Sequence, residues 1–159
     1  MPATRHPGPA EPYHVLVADD EPQILVLFKE LLAPDEDFDL LPRGASQGAP
    51  APAAPTPRYA VTTCRQGEEA VEAVREGLRT GRRYALAFLD VRMPPGRGGL
   101  WAAGEMRRLD PYVQIVIMTA FSDIDAEEMA RRVPPADRLL YQQKPFHPQE
   151  VRQFAASLC

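Results

Sequence analysis

Apolar residues along this chain follow two alternating rhythms. Five short runs, YHVLVA (13–18), YAVTT (59–63), YALAFL (84–89), VQIVIM (113–118) and RLLYQ (138–142), have strand length and are partly β-branched. Between them lie sets at helical spacing: Ile24, Leu27, Phe28 and Leu31 after Pro22, then Ala70, Val71, Val74 and Leu78, then Leu100, Ala103, Met106 and Leu109. A further set, Val151, Phe154, Ala155 and Leu158, follows Pro148, and DIDAEEMARRV after Ser122 predicts a weaker helix that stops at Pro134-Pro135. Five strands alternating with five helices predict an α/β fold with a parallel sheet covered on both faces. YALAFL and VQIVIM, apolar nearly throughout, predict central strands buried on both sides.

Proline sets the domain organisation. Of 18 prolines, four lie in the first 12 residues and six between 34 and 57, zones that can be neither helix nor central strand. The chain therefore reads as an N-terminal tail over 1–12 and one domain over 13–159, interrupted by a Pro/Ala-rich insertion at about 35–58. That insertion links a helix end to a strand start, so it is expected at the edge of the sheet opposite the carboxyl ends of the strands. Nothing follows the fifth helical set, and no output segment is expected within the sequence.

Composition narrows the function classes. With 45% hydrophobic and 25% charged residues, the chain can build an ordinary packed core and is not disordered as a whole. Eighteen basic against 22 acidic residues give a net charge of −4, which lacks the cationic excess of a nucleic-acid binder. Cys64, expected at a strand start, and Cys159 have no metal-ligand spacing, nor do His6, His14 and His147. The greasiest segments fall far short of the ~20 residues of a membrane span. A soluble, reducing, cytoplasmic setting is expected.

The chemistry collects at the ends of the apolar runs. In an open parallel sheet, ligands bind at the carboxyl ends of the strands. Run one continues into Asp19, Asp20 and Glu21, run three into Asp90, run four into Thr119, and run five is followed by Lys144. Three carboxylates brought within ~4–5 Å repel one another by a few kcal/mol per pair at an effective dielectric near 20, so they need a cation. Oxygen-only ligation favours a hard ion such as Mg²⁺. A divalent ion, an ammonium and a hydroxyl around one carboxylate suit phosphoryl transfer, with Asp90 as nucleophile.

These residues carry a family resemblance. The paired acids after strand one, the DVRMPP segment with Asp90, the Thr119-Ala120 pair and Lys144-Pro145 resemble the receiver domain of two-component response regulators (CheY-like), over roughly residues 13–158. The resemblance implies a flavodoxin-like, doubly wound five-stranded sheet in the order 2-1-3-4-5. It implies that Asp90 accepts a phosphoryl group from a histidine kinase or phosphotransfer protein. Asp20, Asp90 and the backbone carbonyl of Arg92 would hold Mg²⁺, with Asp19 assisting through water. Lys144 would pair with phosphoryl oxygens, and Thr119 would turn its hydroxyl toward a third oxygen. Tyr141 matches the aromatic whose rotamer tracks activation, and the Lys144-Pro145 bond is often cis in such domains. The implied partners include a downstream output domain or protein, and a second copy bound through the helix four, strand five and helix five face. Nucleic acid and membrane are not implied as direct partners.

The sequence departs from the family pattern in three places. The loop MPPGRGG after Asp90 is one residue longer than usual and lacks its acidic residue, the insertion precedes strand two, and helix four is short. Phe121 is expected to flank the phosphoryl group and limit the approach of water. Taken singly, Asp20 could cap helix one, Asp90 form a turn, Lys144 be a solvated charge, Thr119 an ordinary strand-end hydroxyl and Tyr141 a core residue. A Mg²⁺-dependent phosphatase or phosphotransferase with an aspartyl nucleophile is the alternative from the enzyme class. It is disfavoured because such hydrolases place the nucleophile after strand one. A constitutive interaction module is the other alternative, disfavoured because the key side chains are all present.

Overall fold

Burial along each strand ranks its place in the sheet. In the computed structural model, which describes residues 11–33, 58–120 and 126–159, five strands form one parallel sheet. They are β1 (Tyr13–Ala18), β2 (Tyr59–Cys64), β3 (Tyr84–Asp90), β4 (Gln114–Thr119) and β5 (Leu139–Gln143). Their order is β2-β1-β3-β4-β5. β1, β3 and β4 are buried over most of their length, whereas β2 is half-buried until Cys64 and β5 alternates, as edge strands do. The apolar runs predicted as central are the central strands.

The helices divide between the two faces. α1 (Pro22–Leu32) and α5 (Pro148–Leu158) cover one, where Val15, Val17, Leu86, Phe88, Val116 and Met118 meet Leu25, Phe28, Val151 and Ala155. α2 (Gly67–Thr80), α3 (Gly99–Leu109) and α4 (Ala126–Arg132) lie on the other, over Leu16, Ala18, Ala87, Leu89, Ile115 and Ile117. The period of two along each strand sends alternate residues to each layer. Phe28 stacks against Phe88 at 4.8 Å and Phe146 at 5.5 Å, joining α1, β3 and the segment after β5.

Local chemistry sets the helix ends. α1 and α5 start on prolines, which are favoured in the first turn because their missing N–H has no partner to lose there. α5 adds a reciprocal cap between His147 and Glu150. α2 ends at Gly81, whose φ of 76° is open to glycine at little cost.

Two expectations need correction. The buried stripe of α1 is Leu25, Phe28 and Leu32, while Ile24, Leu27 and Leu31 are only half-buried. The run ILVLFKELL is apolar on several sides, so spacing alone did not choose the face. Cys64 closes β2 at its carboxyl end, where its carbonyl accepts the N–H of Asp19 at 3.0 Å. The expected tail lies outside the described residues except Glu11 and Pro12, and the expected insertion lies outside them except Arg58. The Arg58 carbonyl accepts the N–H of Tyr13 at 2.8 Å, so the chain enters β2 at the amino edge of the sheet.

Among the described residues, no helix is long and apolar enough to cross a membrane. The Lys144-Pro145 bond is cis, in keeping with the resemblance.

Candidate functional site

At the carboxyl edge of the sheet, the strand ends deliver their polar residues to one place. Asp19 follows the last residue of β1, Asp90 ends β3, Thr119 ends β4 and Lys144 follows β5. Parallel pairing of Asp90 with Met118 and of Thr119 with Gln143 keeps these ends level. One oxygen from each of Asp19, Asp20 and Asp90 lies within 4.8 Å of the others. The proximity required for mutual repulsion is therefore present.

Asp19 is fully buried and held from three sides. Its N–H donates to the Cys64 carbonyl, its Oδ1 accepts the N–H of Glu21 at 2.9 Å, and its Oδ2 accepts from Lys144 Nζ at 2.7 Å. The Glu21 contact is an Asx-type turn that aims the chain into α1. Lys144 Nζ also reaches Asp90 Oδ2 at 3.4 Å, so one ammonium bridges two carboxylates. The N–H of Lys144 donates to the Thr119 carbonyl at 2.8 Å, which fixes the lysine backbone beside the end of β4.

The electrostatics follow from this crowding. Burial, then the charge of Asp19, pushes the Asp90 carboxyl up to about 6, although Lys144 and the N–H of Arg92 both favour its ionised form. For Lys144, burial disfavours the charge, but the hydrogen bond and charge of Asp19, with Asp90 behind them, outweigh it and hold the ammonium above its ordinary value. Three carboxylates against one ammonium leave two negative charges when all are ionised, and a divalent cation matches that deficit. The donor set is made of hard oxygens in a partly buried pocket, which fits Mg²⁺ and does not fit a soft metal.

The loop after Asp90 is closed at its base, where Gly99 donates to the Val91 carbonyl at 3.0 Å. A Cβ on Gly99 would come within 2.0 Å of the Asp90 carbonyl oxygen, so this approach requires glycine. Arg92 keeps its side chain exposed while its N–H serves Asp90. Tyr141 lies on β5 with 37% of its surface exposed, outside the core. Phe121 lies outside the described residues. Cys64 and Cys159 are free thiols, and burial pushes them up to about 12 and about 11, where they are unreactive near neutrality.

Asp19, expected to act on the metal through water, also pairs directly with Lys144. Two further residues, Gln66 and Glu68, bind the loop after Asp90, yet in sequence they look like ordinary residues at a helix start.

Comparison with known proteins agrees with this geometry. The response regulator receiver domain family matches residues 54–156. No curated protein sequence matches the chain. Among solved structures, the response regulator TrrA of Thermotoga maritima, in complex with Mg²⁺ and BeF, is 26% identical with a TM-score of 0.63, over 92% of this chain and 99% of that one. The chemotaxis protein CheY4 of Vibrio cholerae is 17% identical with a TM-score of 0.65, over 94% and 100%. A receiver protein of Sinorhizobium medicae is 23% identical with a TM-score of 0.63, over 93% and 94%. The family match takes in β2 through most of α5, and β1 completes the same sheet, so the chain belongs to the response regulator receiver domains of two-component systems.

Proposed function

We propose that Asp90 is the phosphoacceptor of this receiver and that its phosphorylation switches the binding of a partner. A histidine kinase or phosphotransfer protein supplies the group from a phosphohistidine. A carboxylate oxygen of Asp90 attacks phosphorus, the P–N bond breaks, and the electron pair stays on the imidazole nitrogen, which takes up a proton. The observation that carries this reading is the Lys144 ammonium placed between Asp19 and Asp90, beside a three-carboxylate cluster.

Asp20, Asp90 and the Arg92 carbonyl are proposed as Mg²⁺ ligands, with Asp19 acting through water. Both oxygens of Asp19 already accept a hydrogen bond, which favours the indirect role. The bound ion supplies neutralisation of charge on the phosphoryl oxygens. Lys144 then exchanges part of its contact with Asp19 for a phosphoryl oxygen, and the Thr119 hydroxyl turns toward another. Tyr141 changes rotamer in response, altering the α4, β5 and α5 face. An output domain, a target protein or a second copy is the partner proposed for that face, and beside it β5 and α5 form a groove lined by Leu140, Gln142, Phe154 and Leu158. In NtrX of Brucella abortus, the similar region makes up 27% of a longer chain. The domain is thus read as a signalling module that assists its own phosphorylation and dephosphorylation, working in the cytoplasm.

Incubation with Mg²⁺ and acetyl phosphate, followed by mass spectrometry, tests the proposal. One phosphoryl adduct that disappears in Asp90→Asn is expected. Continuous turnover would favour the phosphatase alternative, and no adduct would leave a constitutive interaction module.

A further inference from the structure

We infer that Gln66 and Glu68 are positioning residues of the phosphorylation site, pinning the loop after Asp90 from the neighbouring helix start. The inference rests on the phosphoacceptor reading of Asp90 and extends it to residues that touch neither metal nor phosphoryl group.

The loop between Val91 and Gly98 has two attachments. Its base is closed by the hydrogen bond from Gly99 to Val91. Its tip is held by α2 and the residue before it. Gln66 Nε2 donates to the Pro94 carbonyl at 3.2 Å, Gln66 Oε1 accepts the Gly96 N–H at 3.1 Å, and Glu68 Oε1 accepts the Arg97 N–H at 3.0 Å. Two side chains thus bind three backbone groups between Pro94 and Arg97, each about 30 positions away in sequence. Gly67 lets the surfaces close, since a Cβ there would meet the Arg97 carbonyl oxygen at 2.5 Å. Arg97 returns across the Trp101 ring at 4.8 Å, tying the tip to α3 as well.

The clamp bears on chemistry because Arg92 belongs to the same loop. Its N–H donates to the Asp90 carboxylate, and its carbonyl is the backbone ligand proposed for the metal. A loop fixed at base and tip presents both groups without having to order them at each binding event.

The test compares the full chain with Gln66→Ala/Glu68→Ala and with Glu68→Gln. Mg²⁺ affinity by calorimetry, hydrogen exchange at the Gly96 and Arg97 amides, and acetyl phosphate labelling against Mg²⁺ concentration are measured. In the double variant, faster exchange at both amides and Mg²⁺ binding weakened roughly tenfold are expected. Its labelling should recover at saturating Mg²⁺. Glu68→Gln, whose amide oxygen still accepts from Arg97, should bind Mg²⁺ within about twofold of the parent. A folded double variant with unchanged Mg²⁺ affinity overturns the clamp, as does slow labelling that saturating Mg²⁺ leaves uncorrected. A parent that neither binds Mg²⁺ nor labels overturns the phosphoacceptor reading instead.

Discussion

Lys144 is bound to Asp19 at 2.7 Å across 125 positions of sequence. The longer contact, 3.4 Å, is to Asp90. The ammonium therefore rests on the carboxylate beside Asp90, and in the proposed reaction it moves from there onto a phosphoryl oxygen. Asp19 raises the proton affinity of Asp90 and Lys144 lowers it. Removing each charge should shift Asp90 in opposite directions. In metal-free protein, Asp19→Asn should bring the Asp90 midpoint below about 6 and Lys144→Met should carry it above, as read from the carboxyl carbon resonance during a pH titration.

The elevated midpoint of Asp90 has a cost in stability with a definite sign. The folded carboxyl titrates at about 6 and the ordinary value is 3.8, so between them the native state binds more protons than the unfolded chain. Stability from this group is greatest below about pH 4 and is lost as pH rises through about 6, amounting to about 3 kcal/mol by pH 7. Asp90→Asn cannot ionise and escapes the loss. Its advantage over the parent in urea unfolding without metal should be largest at pH 7 and nearly gone at pH 4.

Mg²⁺ should relieve the same penalty by binding the native state alone. At a hundredfold excess over its dissociation constant, a single-site ligand stabilises by about 2.7 kcal/mol. The melting temperature of the parent should rise with Mg²⁺ and fall back with a chelator. Asp20→Asn should respond much less, because one carboxylate of the cluster is gone.

Close backbone approach at the loop base should make glycine indispensable there. Gly99→Ala places a Cβ against the Asp90 carbonyl oxygen, so either α3 or the end of β3 must shift. Overpacking of this kind costs about 1–3 kcal/mol. Urea denaturation should register the loss, and acetyl phosphate labelling should fall by more than the unfolded fraction explains.

The five strands were legible because each is a short apolar run, and the site because each run ends in a side chain with chemistry. Once the strands are parallel, Asp19, Asp90, Thr119 and Lys144 have to share an edge. The face of α1 was less legible, since Ile24 and Leu25, Leu27 and Phe28, and Leu31 and Leu32 are neighbouring apolar pairs. Packing against the sheet buries Leu25, Phe28 and Leu32, the second member of each pair. Sequence also could not say which carboxylate Lys144 prefers, because that rests on differences of less than one ångström. Gln66 and Glu68 escaped notice for another reason: their partners are backbone groups, which leave no complementary side chain to find.

Arg58 joins Tyr13 at the amino edge, and α1 runs away from Asp90 to end at Leu32 on that same rim. The described chain thus enters β2 on the rim away from the acidic cluster, and the closure entropy of an inserted loop grows only with the logarithm of its length. That rim is a splice port: a reporter peptide or binding motif grafted there should leave the acceptor chemistry in place. The family match begins at residue 54, after the first strand. A linear comparison drops Asp19 and Asp20, which folding returns to the side of Asp90.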